Sequence, residues 1–232
     1  TVNSLDITRK ELAKMFDHTL LKAFATEKDF DVLCNEAKEN HFAMVAINSY
    51  PVKYCKNILK DSDVHVGAAI AFPLGQMTIA SKLSETRNAI ADGADEIDYV
   101  LNVGKVKEHD YQYIEDEMIQ MVDLCRQHHV LIKVIFENCY LDKEEIKECA
   151  LIAKSVKPDY IKTSTGFGTG GATVEDVMLM KNTVGDDVLV KAAGGIRNWK
   201  TCAKMIDAGA SRIGTSASFA ILQGYDEMKG ML

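Results

Sequence analysis

Three ionisable residues sit where an apolar strand should leave none. Lys162 closes the run Tyr160-Ile161-Lys162-Thr163, and Lys191 lies within Val188-Leu189-Val190-Lys191-Ala192-Ala193. Asp98 interrupts Glu96-Ile97-Asp98-Tyr99-Val100-Leu101. Side chains alternate along a strand. If these three point to one side, Ile97, Tyr99, Ile161, Val188 and Val190 point to the other, as their apolar character suits. One such lysine alone reads most simply as a structural ion pair or as a stem reaching for solvent. Two on consecutive strands are neighbours in space, and each raises the cost of charging the other. A pair that should repel is more typical of an activated amine than of a fold stabiliser. Lys133 lies early in its own run and is expected to be structural, paired with an inward acid such as Glu96.

Glycines follow the last two of these runs. Gly194-Gly195-Ile196-Arg197 precedes a helix start at Asn198, and Gly214-Thr215-Ser216 leads into a further helix. Bare backbone N–H groups and helix N-termini hold phosphate, and in barrels of alternating strands and helices the loops after strands seven and eight do so. Glycines also make tight turns, so each loop taken alone is ambiguous. Both together, in register with the lysines, favour phosphate.

The elements that must position these groups are legible as a repeating unit. Strand candidates fall at 16–21, 42–48, 65–71, 95–102, 130–137, 159–163, 188–193 and 211–215, separated by roughly 23 to 35 residues, enough for a strand, a loop and a crossover helix. Between them, Ile114, Met118, Met121, Val122 and Cys125 form one helical stripe, and Ile79, Leu83, Thr86 and Ile90 form another. Asp142 with Glu145, and Thr173 with Asp176, resemble capping boxes. Gly93 and Gly209 mark helix ends just before strands. No G-x-G-x-x-G follows the first strand, where an open dinucleotide fold would place it. The spacing is also nearly even. We therefore expect a closed (β/α)8 barrel, an α/β fold, spanning residues 1–232 as one domain.

Bulk properties narrow the function. A chain of 232 residues with 47% hydrophobic and 26% charged residues is an ordinary soluble composition. The net charge of −7 argues against a nucleic-acid surface. No apolar run approaches a membrane span, and Thr1 to Lys10 has no signal core, so a cytoplasmic protein is expected. Six cysteines make no C-x-x-C pair, and four fall in helical segments, so reduced packing thiols are expected. The six histidines give no H-x-H or H-E-x-x-H pattern, and nothing in the sequence asks for a metal.

At these residues the sequence resembles the deoxyribose-phosphate aldolase family. The resemblance runs nearly the whole length, through Asp17-His-Thr-Leu-Leu-Lys22, Phe72-Pro-Leu-Gly75, Gly93-Ala-Asp-Glu-Ile-Asp98 and Lys133-Val-Ile. It is most specific in Ile161-Lys-Thr-Ser-Thr-Gly-Phe-Gly-Thr-Gly-Gly-Ala-Thr173 and Val190-Lys-Ala-Ala-Gly-Gly-Ile-Arg197. The family fold is a (β/α)8 barrel. The resemblance implies that Lys162 is the Schiff-base lysine, Lys191 the second lysine that perturbs it, and Asp98 the proton-relay acid. Gly166, Gly194, Gly195, Gly214 and Ser216 match positions lining the sugar-phosphate site, with Asp17 and Thr165 near the sugar. The implied reaction reversibly cleaves 2-deoxy-D-ribose 5-phosphate to glyceraldehyde 3-phosphate and acetaldehyde, in deoxyribonucleoside catabolism, with no metal or organic cofactor. The implied partners are sugar phosphates and aldehydes, and a homodimer is left open.

The sequence also departs from the family pattern. Ala23 stands where many members have proline, Ala46 where many have cysteine, and Asn138 where threonine is common. Gln76-Met77 replaces a small-polar pair and is expected at the pocket mouth. Some members use a tyrosine on a C-terminal tail for proton transfer; Tyr225, before Lys229-Gly-Met-Leu232, is not assigned that role. Two other functions fit a barrel with phosphate loops. A non-covalent sugar-phosphate isomerase would use Asp98 as base without an imine, and a non-catalytic sugar-phosphate sensor would be marked by loss of Lys162 or Asp98. Neither residue is lost.

Overall fold

Each of the eight apolar runs forms a strand: β1 (Phe16–Thr19), β2 (Met44–Asn48), β3 (His65–Ile70), β4 (Glu96–Val100), β5 (Leu131–Ile135), β6 (Tyr160–Lys162), β7 (Leu189–Ala193) and β8 (Arg212–Thr215). The structure, a computed structural model, describes residues 2–230; Thr1, Met231 and Leu232 lie outside the described residues. Strand order is sequential and closed, every pairing is parallel, and β1 completes the ring against β8 with Asp17 opposite Gly214. The barrel read from the spacing is therefore the observed fold. The strands are shorter than the apolar runs by one or two residues at an end, where the chain turns out of the ladder. One consequence alters the reading of a loop. Gly214 and Thr215 are the last residues of β8, and only Ser216 and Ala217 separate the strand from the following helix.

The helices are α1 (Arg9–Ala13), α2 (Glu27–Asn40), α3 (Val52–Leu59), α4 (Ile79–Ala91), α5 (Val103–Lys107), α6 (Tyr111–Gln127), α7 (Lys143–Val156), α8 (Val174–Val184), α9 (Trp199–Ala208) and α10 (Ser218–Met228). Asp142 and Glu145 form the complete capping box of α7. At α8 only half the box forms: Thr173 accepts the Asp176 N–H, while the Asp176 carboxylate is drawn to Lys143 of α7. Asn198 caps α9 by accepting the Thr201 N–H. Gly93 and Gly209 hold φ of +111° and +123°, and a Cβ at either would press on the stem of Lys56 or Lys181. The α6 stripe is buried throughout. On α4 the buried line is Lys82, Thr86 and Ala89, with Leu83 and Ile90 half-buried beside it, so the face is rotated from the expected stripe. A charged residue occupies it because Lys82 meets Glu117 of α6 at 2.9 Å and donates to the Val100 carbonyl at 2.8 Å.

Alternation divides the protein into two interiors. Phe16, Ile97, Tyr99, Ile132, Val134, Ile161, Val190 and Ile213 face outward and join the helices in one apolar cluster. The opposite parity sends Asp17, Glu96, Asp98, Lys133, Lys162, Lys191 and Arg212 into the lumen, all buried. The six cysteines are free thiols, five of them buried.

Candidate active site

Register sets the centre. Lys162 of β6 lies directly opposite Lys191 of β7, and Asp98 of β4 lies opposite Lys133 of β5. Parallel strands stand about 4.8 Å apart, so two long side chains from adjacent registered positions share one small volume. Asp98 reaches in from the other side of β5. Its Oδ2 accepts from Lys191 Nζ at 2.9 Å and from Lys162 Nζ at 3.3 Å, while its Oδ1 accepts from Lys133 Nζ at 2.7 Å. One carboxylate thus holds three amines.

Below this level the lumen is a closed ionic network. Asp17 accepts from Lys191 at 2.6 Å and from Arg212 at 2.8 Å, and Glu96 lies 2.7 Å from Lys133 and 3.0 Å from Arg212. His65 meets the outer oxygen of Glu96 at 2.7 Å, and Arg212 lies over the Tyr160 ring. Burial alone would raise the Asp98 carboxyl, but Lys133, Lys191 and Lys162 outweigh it and hold it well below the usual carboxylate range. Burial would likewise lower Lys133, and Asp98, Glu96 and Asp17 push it above its ordinary value instead. Lys162 is the exception. Burial lowers its amine, the Lys191 charge lowers it further, and Asp98 only partly compensates, leaving it at about 7. At neutral pH about half of such an amine is unprotonated, against fewer than roughly one in a thousand for a free lysine.

Lys162 is also the amine that meets solvent. It lines a cleft of about 710 Å³ at the C-terminal ends of the strands, whose walls include Gly166, Phe167, Gly194, Gly195, Arg197 and Ser216. Lys191 and Asp98 do not line it; they lie beneath Lys162. Gly194 and Gly195 have φ of +91° and +77°, conformations for which glycine is suited. Among the described residues the N–H groups of Gly166, Gly195, Ile196 and Ser216 donate to no protein acceptor. These donors share the cleft walls with the exposed cations Lys22 and Arg197, a combination whose chemistry suits an anion. Phe72 and Phe167 pack edge to face at 5.5 Å, and the Phe72 ring centre is 5.9 Å from Lys162 Nζ.

An amine perturbed in this way, opening on a cleft at the C-terminal end of a barrel, is suited to covalent carbonyl chemistry. Comparison with known proteins places it in a family. Residues 11–226 match the family model described as DeoC/LacD family aldolase. The chain belongs to that family. It is accordingly similar to deoxyribose-phosphate aldolase from Lactobacillus acidophilus, 59% identical over 93% of this chain and 91% of that one. The Thermococcus kodakarensis deoxyribose-phosphate aldolase is 47% identical over 94% and 98% of the two chains. Among solved structures, the tetrameric deoxyribose phosphate aldolase from Aeropyrum pernix superposes with a TM-score of 0.88 at 28% identity, covering 95% of this chain and 93% of that chain. As a member of the family the protein is an aldolase, a carbon–carbon lyase.

The aldolase site differs in several particulars from the arrangement anticipated from sequence. Asp17 is fully buried, and both its oxygens are engaged by Lys191 and Arg212. It supports the network and does not face the cleft. Thr165 does line the cleft, but its hydroxyl donates to Glu137 at 2.5 Å. Gly214 lines the cleft as anticipated, but it lies inside β8, where a Cβ would meet Lys191 Cε at 2.9 Å. Its lack of a side chain makes room for the Lys191 stem. Lys133 binds Asp98 as closely as it binds Glu96, so it belongs to the centre and also repels the Lys162 charge. Gln76 lines a second cleft, of about 320 Å³, on the far side of Phe167, and Met77 lines neither. Tyr225 donates to the Ile7 carbonyl at 2.6 Å and packs on Trp199, remote from Lys162. Arg212 and Glu137 were missed. Arg212 carried the same signal as Lys162, a charge at an inward parity in a short strand. Glu137 lies just past β5, where alternation no longer reports direction.

No helix among the described residues is long and apolar enough to cross a membrane.

Proposed function

We propose that the protein reversibly cleaves 2-deoxy-D-ribose 5-phosphate to D-glyceraldehyde 3-phosphate and acetaldehyde through an imine on Lys162, a step in deoxyribonucleoside breakdown. The observation that carries this reading is the Lys162 amine, held near pKa 7 and opening on the cleft. The relatives' names, and the free N–H groups and cations on the cleft walls, support the choice of a phosphorylated sugar.

In this mechanism the neutral Lys162 amine adds to the C1 aldehyde of the open-chain sugar, and loss of water gives an iminium. Asp98, with Lys191 bridged to the same oxygen, takes the C3 hydroxyl proton through a water molecule. The C2–C3 bond breaks, and its electron pair moves into C1–C2 as the iminium becomes an enamine. Glyceraldehyde 3-phosphate leaves with the new C3 carbonyl. The returned proton adds to C2, and water hydrolyses the resulting iminium to acetaldehyde and free Lys162. The phosphate lies against Gly166, Gly194, Gly195 and Ser216, with Arg197 and Lys22 supplying charge.

The test is borohydride reduction in the presence of acetaldehyde, read by peptide mass spectrometry. An ethyl group of about 28 Da is expected on Lys162, with loss of cleavage activity. Labelling at another lysine, or cleavage without any labelling, overturns the imine assignment.

A further inference from the structure

We infer that Glu137 is a positioning residue for the loop between β6 and α8, and that it sets how tightly the cleft holds a sugar phosphate. The inference rests on the aldolase reading above, and concerns a side chain that takes no part in the imine chemistry.

Glu137 follows β5 by two residues, in the left-handed region with φ of +58° and ψ of +62°. A residue with a side chain adopts that conformation at a cost, so the surroundings must hold it there. The Asn138 N–H donates to the Thr163 carbonyl at 2.9 Å, and the Tyr140 N–H returns to the Glu137 carbonyl at 3.1 Å, which fix the backbone. The side chain is then aimed at a single residue. Its Oε1 accepts the Thr165 N–H at 3.0 Å, and its Oε2 accepts the Thr165 hydroxyl at 2.5 Å.

Glu137 is 2% exposed as a residue and forms no ion pair among the described residues. Burying a carboxylate is expensive unless donors replace its water. Here both donors come from one loop residue, so the compensation is realised only when that loop is in place.

Thr165 passes the constraint on. Its hydroxyl oxygen accepts the Phe167 N–H at 3.0 Å, closing a turn that leaves Gly166, at φ +87°, to present its N–H to the cleft. Phe167 is thereby held against Phe72. The far end of the loop is pinned separately: the Ala172 N–H donates to the Gly194 carbonyl at 3.0 Å, and a Cβ at Gly171 would lie 2.2 Å from that oxygen. Glu137 therefore governs the near half of a loop whose other half rests on the β7 glycines.

Lys162 is tethered independently. It belongs to β6, and the next residue, Thr163, exchanges hydrogen bonds with Ala193. Loss of Glu137 should thus loosen sugar-phosphate binding and leave the amine where it is.

Kinetics of Glu137→Ala, Glu137→Gln and Thr165→Val test this. With deoxyribose 5-phosphate, Glu137→Ala should raise KM on the order of tenfold, as loss of a buried charged hydrogen bond implies, and change kcat much less. Glu137→Gln keeps an acceptor for the Thr165 N–H and should recover part of the loss. Thr165→Val should raise KM similarly, and the double variant should add little to either single change. Borohydride trapping of acetaldehyde on Lys162 should match the parent in both Glu137 variants. An unchanged KM in Glu137→Gln and Thr165→Val, additive losses, or trapping that falls in step with cleavage would each overturn the positioning role. A parent enzyme that fails to trap acetaldehyde would instead overturn the imine reading on Lys162.

Discussion

Why Lys162 titrates so low among the lumen groups follows from counting its surroundings. Asp17, Glu96 and Asp98 supply three negative charges, and Lys133, Lys191 and Arg212 supply three positive ones, with His65 touching Glu96 from the solvent side. A fourth buried ammonium would have no carboxylate of its own. Lowering a lysine from 10.5 to about 7 disfavours the ammonium by on the order of 5 kcal/mol. Burial supplies the larger part and Lys191 the next. Lys191→Leu removes that cation and leaves Asp98 and Asp17 less neutralised, so both changes should raise the Lys162 pKa. The acid limb of kcat/KM should then move to higher pH, because the reactive form is the deprotonated one. Imine formation should slow at pH 7 and recover in part at pH 9. An inactive variant whose Lys162 still titrates and traps acetaldehyde as in the parent would make Lys191 a proton-transfer group instead.

Among the elements, the strand ends of β6, β7 and β8 carry the proposed chemistry, and glycines serve them in two ways. Gly195 is an open turn: a Cβ there meets nothing within 4 Å, and its φ of +77° is one that aspartate tolerates better than most residues. Gly195→Asp should therefore fold, while setting a carboxylate among the anion-binding N–H groups. We expect KM for deoxyribose 5-phosphate to rise about tenfold or more, and far more than for unphosphorylated deoxyribose, since only the former brings like charge to the loop. Equal effects on both sugars would place the phosphate elsewhere. Gly214 serves differently, by leaving space inside β8 for Lys191.

Across the whole molecule, the lumen network is not the only buried ion pair. Lys82 of α4 and Glu117 of α6 are both fully buried in the apolar shell beside Tyr99, 2.9 Å apart. Neither Glu117 oxygen meets hydrogen-bond geometry with a donor among the described residues. Burial pushes the lysine down and the glutamate up despite their mutual attraction. Removing one partner leaves the other uncompensated. Glu117→Leu should cost about 3–5 kcal/mol in urea unfolding, whereas Lys82→Met combined with Glu117→Leu should be close to neutral. A small loss in the single variant would mean that the pair is already uncharged.

Much of this arrangement was legible in the sequence because the relevant rules are local. Eight strands follow from runs of β-branched residues, and the inward parity of Lys162, Lys191 and Asp98 follows from alternation within each run. Neither needs knowledge of a partner strand. Closure of the ring and its register decided the rest. Register set Lys162 beside Lys191, brought Asp98 within reach of three amines, and drew Arg212 and Lys133 into the same network. It also decided which anticipated groups would be withdrawn from the cleft. Asp17 was taken up by two cations, and the Thr165 hydroxyl by Glu137. Whether a polar atom is available to a ligand depends on every donor and acceptor within about 3 Å, and those neighbours come from strands dozens of residues away. Residue type and parity are properties of one strand, whereas the competition for each hydrogen bond exists only once all eight have met.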